Sequence, residues 1–175
     1  MHATALPVVS DILRTPEACF AQLPDFPWTP HYTEVGGLRI ARVDEGPRDA
    51  PVVLLMHGEP TWSFLYRHMI PPLLQDGYRV VAPDLVGFGR SDKPARRADH
   101  SYANQVAWMN AWLQALDLHD VTLFCQDWGS LIGLRMVVDA PHRFTRIVLA
   151  NGGLPTGGGH TPRAFTLWRA FARFS

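Results

Sequence analysis

The segment Gln126-Asp127-Trp128-Gly129 sets a carboxylate where an apolar run, residues 121–125, passes directly into a helical pattern. A reactive side chain on such a sharp strand-to-helix turn is a nucleophile elbow, whose small neighbours admit a strained backbone. The serine form of the elbow reads G-x-S-x-G. Here Asp127 holds the serine position, with Gly129 two residues after it and Cys125 two before. Taken alone, the segment also fits an aspartate that caps the following helix through its first free N–H groups. The elbow reading implies a specific chemistry. A carboxylate is ionised at neutral pH and can displace a leaving group from saturated carbon, forming an ester, without help from a base. Water must then attack that ester, and this second step does need a general base. An elbow aspartate therefore points to opening of carbon–halogen bonds or epoxides rather than to esterase or protease work.

A second segment, His57-Gly58-Glu59-Pro60-Thr61-Trp62, directly follows the apolar run 51–56. In elbow enzymes the loop at this place supplies one backbone N–H of an oxyanion hole, and the residue after the nucleophile supplies the other. Those donors would be Glu59 and Trp128. His57 reads as a loop-shaping histidine bonded to backbone rather than as a base. The third segment, residues 82–92, contains Gly87-Phe88-Gly89. It lacks the third glycine and the helix start of a dinucleotide loop and reads as a turn at a strand end.

These segments need a scaffold, and the pattern supplies one. Residues 51–56, 78–82, 121–125 and 146–150 are strand-length runs rich in Val, Leu and Ile. Being apolar on both faces, they suit a parallel sheet covered by helices on both sides. Tyr102, Val106, Met109, Leu113 and Leu116 recur at helical spacing, and Ser130 to Val138 is apolar nearly all round, as a helix buried behind a sheet would be. Alternation of this kind predicts a doubly wound, mostly parallel α/β domain. The first thirty residues carry five prolines and read as an arm lying on the core. After Gly152 a Gly/Pro loop leads to an Arg- and Phe-rich helix start at residues 161–175.

Composition narrows the function classes. Sixteen basic and 16 acidic residues leave no net charge, which argues against nucleic acid or an anionic membrane as partner. No apolar run reaches the roughly 20 residues of a membrane span. The N-terminus lacks a signal-peptide pattern, so a cytoplasmic protein is expected. Cys19 and Cys125 are too few for a disulfide framework and lack metal-ligand spacing, so neither a metal nor a cofactor is expected.

Together the three segments resemble the haloalkane dehalogenases of the α/β-hydrolase superfamily. The resemblance rests on His57-Gly58-Glu59-Pro60-Thr61-Trp62-Ser63, on Pro83-Asp84-Leu85-Val86-Gly87-Phe88-Gly89-Arg90-Ser91-Asp92-Lys93-Pro94 and on Gln126-Asp127-Trp128-Gly129. Arg14-Thr15-Pro16 and the aromatic stretch after it look like the family's N-terminal arm. The resemblance implies an α/β-hydrolase fold and a reaction of haloalkane with water that yields alcohol and halide. Asp127 would form the alkyl-enzyme ester, and the Trp128 indole N–H would hold the departing halide. One branch of the family has asparagine after His-Gly as second halide donor. With Glu59 in that place, this chain resembles the branch that uses a cap tryptophan, for which Trp168 is the candidate; packing of a cap helix is the other reading of Trp168.

In that branch an acid and then a histidine base follow the nucleophile. Beyond Asp127 the chain offers one acid, Asp139, at the far end of the predicted helix, with His142 beside it. His160 follows strand 146–150 but has no acid after it. The expectation is therefore an N-terminal part of a longer enzyme: residues 1–152 from the hydrolase core, residues 153–175 from the start of a helical cap, and the base and its acid beyond Ser175. An epoxide hydrolase of the same fold, and a non-catalytic truncated hydrolase-like protein, are the alternatives.

Overall fold

The computed structural model describes residues 6–153 and 163–174. The strands are β1 (Ile12–Leu13), β2 (His31–Val35), β3 (Leu38–Glu45), β4 (Val52–Met56), β5 (Arg79–Pro83), β6 (Lys93–Pro94), β7 (Val121–Gln126) and β8 (Phe144–Ala150). The α-helices are α1 (Ile70–Gln75), α2 (Tyr102–Ala115), α3 (Asp127–Asp139) and α4 (Arg163–Phe174). Six strands form one sheet in the order β2-β3-β5-β4-β7-β8. Its β5-β4-β7-β8 half is parallel, and β2 and β3 are antiparallel additions at one edge. The four predicted strands thus lie side by side, each within two residues of its expected bounds.

Side chains of β4 alternate between two cores, as a strand's period of two requires. Val52, Leu54 and Met56 join Trp108, Trp112 and Ile132 beneath α2 and α3. Val53 and Leu55 join Phe26, Tyr66 and Ile70 on the other face, under α1 and the arm. Helix α2 starts where Ser101 accepts the Asn104 N–H at 3.1 Å, an ordinary side-chain cap. Its buried stripe is wider than expected, because Trp108 and Trp112 join Val106, Met109 and Leu113. Helix α3 departs from the sequence reading. Only Gly129, Ser130, Ile132, Gly133 and Met136 are buried, and Val138 is exposed. The sheet and α2 cover one side of α3, so an apolar composition all round does not mean burial all round.

The arm does lie on the core. Its β1 pairs with β6, and Arg14 grips the buried Asp92 carboxylate with two bonds of 2.8 and 3.1 Å. Asp92 also accepts the Arg39 N–H at 3.0 Å. At the opposite end of the strands, Asp44 receives Arg79 at 2.8 and 3.0 Å, Arg48 at 2.8 Å and Arg42 at 3.1 Å. Burial alone would raise the Asp44 carboxyl; the bonds from Arg79, Arg48 and Arg42 outweigh it and hold it at about 2, against 3.8 unperturbed. Strand β8 is the sheet's other edge among the described residues, and its Ile147, Val148 and Leu149 are nearly half exposed. The expected boundary at residues 152 and 153 adjoins residues 154–162, which lie outside the described residues. Helix α4 follows with Arg163 to Phe171 exposed.

Two outcomes follow. Among the described residues no strand pairs with the outer edge of β8, which is flanked by apolar side chains and so offers a template for pairing with another chain. The 175-residue chain is expected to self-associate in light scattering, and Val148→Lys to raise its monomer fraction. The Asp44 group has a folded-state value below its unfolded one, so its stabilisation is complete above about pH 4 and is lost as pH falls toward 2. Asp44→Asn is expected to cost about 3 kcal/mol near neutral pH and to flatten that acid limb in urea titrations.

Candidate active site

The site lies where β4, β7 and β8 end, at the carboxyl edge of the parallel strands, where open α/β sheets bind ligands. Strand β7 runs out at Gln126 with extended backbone, and Asp127 then turns left-handed at φ 48° as the first residue of α3. A left-handed L-residue costs roughly 1–2 kcal/mol, and the surroundings hold it in place. The Ser130 hydroxyl donates to the Asp127 carbonyl at 2.6 Å, and the Asp127 N–H donates to the Asn151 carbonyl at 3.4 Å. Across from it, the Glu59 backbone N–H donates to Asp127 Oδ1 at 2.9 Å. The carboxylate therefore bonds to the loop after β4, not along its own helix. Its place in the first turn of α3 also suits the positive end of the helix dipole.

Two glycines make this approach possible. A Cβ on Gly58 would collide with the Asp127 carboxylate, and one on Gly129 would strike the Met56 and His57 carbonyls. The loop itself is braced by His57, which is fully buried. Its Nε2 accepts the Leu85 N–H at 2.9 Å, so the ring proton sits on Nδ1, which donates to the Gly58 carbonyl at 2.9 Å. Burial pushes the imidazole below its usual value, against the opposing pull of the Gly58 carbonyl. A neutral ring with both nitrogens committed to backbone shapes the loop and leaves no nitrogen for proton transfer.

Asp127, Trp128, Ser130, Leu131, Asn151, Gly152 and Gly153 line a cavity of about 450 Å³. No arginine or lysine is among them, and among the described residues the Asp127 carboxylate has no ion pair. A larger cleft of about 520 Å³ opens at the opposite end of the strands, lined by residues including Arg48, Arg79, Asp117 and Arg146. It lies away from the elbow.

Asp127, Trp128 and the Glu59 N–H are thus brought together. Trp168 stands apart: it is exposed on α4 with its ring 5.6 Å from Phe165, and the cavity lining does not include it. Asp139 closes the far end of α3, where Arg135 donates to it at 2.9 Å and Asn110 at 2.8 Å. His160 lies outside the described residues. Among the described residues the one histidine–carboxylate pair is His119 with Asp117 at 2.9 Å, before β7 begins and hence at the opposite end of the strands from the elbow. The sequence reading passed over Asn151 and Ser130. The signal for Asn151 was the polar Asn151-Gly152-Gly153 at the end of a strand, the same strand-to-loop change that marked His57 and Asp127.

Comparison with known proteins places this geometry in context. The pattern of the α/β-hydrolase fold family matches residues 51–174. A haloalkane dehalogenase of Mycobacterium marinum is 55% identical over 170 residues, covering 94% of this chain and 57% of the relative. The structure of a tetrameric haloalkane dehalogenase from Paraglaciecola agarilytica superposes with a TM-score of 0.89 at 42% identity, covering 95% of this chain and 57% of that one. An epoxide hydrolase of Vigna radiata gives a TM-score of 0.70 at 28% identity over 82% of this chain and 46% of its own. The chain spans about half the length of the curated relatives it matches.

The Gly58 contact has a measurable consequence. Gly58→Ala is expected to destabilise the chain by about 1–3 kcal/mol, the usual range for overpacking, as read from urea unfolding. It is also expected to speed exchange of the Glu59 amide, because the carboxylate must move away.

Proposed function

Because the chain belongs to the α/β-hydrolase fold family, we propose that it carries the nucleophile and oxyanion donors of a haloalkane dehalogenase. The observation that carries the reading is the Asp127 carboxylate on a left-handed elbow, with Oδ1 held at 2.9 Å by the Glu59 N–H and Trp128 next in sequence. Likeness to dehalogenases at 55% and 42% identity supports it.

The geometry divides the work between the two carboxylate oxygens. Oδ1 is engaged by Glu59, which leaves Oδ2 to attack the carbon bearing the halogen. The new C–O bond takes its electron pair from Oδ2, and the C–X pair departs with the halide. The Trp128 indole N–H, a donor with no acceptor, suits that anion. Trp168, exposed on α4 and outside the described cavity lining, is proposed as the second halide donor on the family resemblance alone. Oδ1 then becomes the ester carbonyl oxygen, already on the Glu59 N–H, and the Trp128 backbone N–H completes the oxyanion hole for attack by water. That attack needs a base. Among the described residues His57 has no free nitrogen, and His119 with Asp117 lies at the opposite end of the strands, so the described residues alone are proposed to stop at the ester. Two free cysteines fit a reducing, cytoplasmic setting.

Epoxide opening is the second reading, favoured by the likeness to the Vigna radiata enzyme; attack by the same carboxylate would break a ring C–O bond, and the alkoxide so formed would take a proton from water to leave a hydroxyalkyl ester.

Exposure to a bromoalkane is expected to add one alkyl group at Asp127, seen by intact-mass and peptide mass spectrometry, with one equivalent of bromide released. Asp127→Asn should take up none. Trp128→Phe should react about tenfold more slowly, having lost a hydrogen bond to a developing charge. No adduct, or an adduct elsewhere, overturns the reading; an epoxide adduct without a bromoalkane adduct selects the second one.

A further inference from the structure

The side chain of Arg90 sits among three aromatic rings. Its guanidinium lies 4.6 Å from the Phe20 ring centre, 5.4 Å from Trp62 and 5.7 Å from Phe26. Phe20 and Phe26 belong to the N-terminal arm; Trp62 belongs to the loop that carries Glu59. The rings also pack on each other, with Trp62 at 5.3 Å from both Phe20 and Phe26 and stacked on Phe64 at 5.6 Å. Among the described residues no carboxylate pairs with Arg90, and its Nε is buried without a hydrogen-bond partner. The faces of these rings hold the cation.

The root of Arg90 is fixed as firmly as its tip. Its backbone N–H donates to Oδ2 of the buried Asp84 at 2.8 Å, and the other carboxylate oxygen accepts the Ser63 N–H at 2.9 Å. Both ends of Arg90 therefore lead to the same loop, through Asp84 to Ser63 and through the ring directly to Trp62. One residue earlier, the Thr61 N–H and hydroxyl each donate to the Gly58 carbonyl at 3.0 Å. That turn sets the direction of the next amide, the Glu59 N–H on the Asp127 carboxylate.

We propose that Arg90 is a positioning residue, clamping the arm to the loop 57–63 so that the Glu59 N–H stays on Asp127 Oδ1. The proposal rests on the dehalogenase reading for its chemical consequence but not for its geometry. An aromatic cluster filled by an apolar side chain would pack as well; a cation adds attraction to all three ring faces at once. The arm thus becomes a working part of the site, not merely a cover for the core.

The 175-residue chain tests this with two readouts: Glu59 amide exchange followed by NMR, and the rate of Asp127 alkylation by a bromoalkane. Arg90→Met keeps the stem and removes the cation. It is expected to speed Glu59 exchange and to slow alkylation, each by about fivefold, with exchange at Leu123 in the core unchanged. Arg90→Lys should restore most of both. Unchanged Glu59 exchange in a folded Arg90→Met chain overturns the proposal, and so does an Arg90→Lys chain no better than Arg90→Met. Should Arg90→Met fail to fold, Phe20→Leu removes one ring from the arm side. Faster Glu59 exchange in that variant supports the clamp and unchanged exchange overturns it. An unmodified chain that takes up no alkyl group defeats the dehalogenase reading, while Glu59 exchange still decides the clamp.

Discussion

The approach of the β4 and β7 ends controls everything around Asp127. The two strands are in parallel register up to Met56 and Cys125, and both then leave the sheet within two residues. The first turn of α3 rests on the carbonyls that β4 has just released, which only a glycine at 129 permits. The His57-Gly58 turn rests in return on the Asp127 carboxylate. Contact in both directions leaves Asp127 little freedom: it must be left-handed to begin α3 and face the Glu59 N–H at once. The roughly 1–2 kcal/mol of such backbone strain is offset by the Ser130 and Glu59 hydrogen bonds, each of the usual order of about 1 kcal/mol or more.

Buried charge is arranged so that it does not weaken this carboxylate. Asp44, Asp84 and Asp92 are all buried, and each is saturated where it stands. Asp44 has three arginines, Asp92 has Arg14 with Arg39, and Asp84 has two backbone amides. Asp127, by contrast, has one neutral amide on one oxygen. A carboxylate in a guanidinium fork has its lone pairs engaged and its charge neutralised, which makes it a good structural anchor and a poor nucleophile. Keeping arginine and lysine out of the Asp127 cavity lining leaves the other oxygen electron-rich. A neutral His57 serves the loop as well: a charged imidazole would carry a proton on Nε2 and could no longer accept the Leu85 N–H.

The parts of this arrangement that were legible in sequence are those written in local pattern. Runs 51–56, 78–82, 121–125 and 146–150 announced the parallel strands, because strands buried on both faces read as unbroken apolar runs. The elbow was legible because a carboxylate between a strand and a helix is chemically conspicuous. The hairpin of β2 and β3 was not read, although Gly36 and Gly37, both at positive φ, mark its turn. The arginines and acids alternating along β3 masked its strand character, since Arg42 and Asp44 are buried only through one another and Arg79. Helix α3 misled for the opposite reason: apolar composition reports what could be buried, and the sheet covers only one side. The Glu59 hydrogen bond could be anticipated as a loop position, but its partner atom could not. A contact across 68 residues of sequence depends on how two turns pack.

Residue 59 shows why the backbone serves this site better than a side chain would. Its amide reaches Asp127 while its own carboxylate is exposed, so two negative side chains share the neighbourhood without sharing a cavity. Exposed charges are screened over about 10 Å at ordinary ionic strength, so the cost of a glutamate beside the Asp127 carboxylate stays small. A donor in the backbone, moreover, survives any substitution at position 59 except proline, which has no N–H, provided that the loop keeps its turn. Control of the site thereby passes from the residue that makes the contact to those that hold the turn: Gly58 by having no side chain, His57 by two backbone bonds, and Trp62 with Arg90 by their packing. The electrostatics of the Asp127 carboxylate are in this sense a property of loop geometry, and that geometry reaches back through the arm to Phe20.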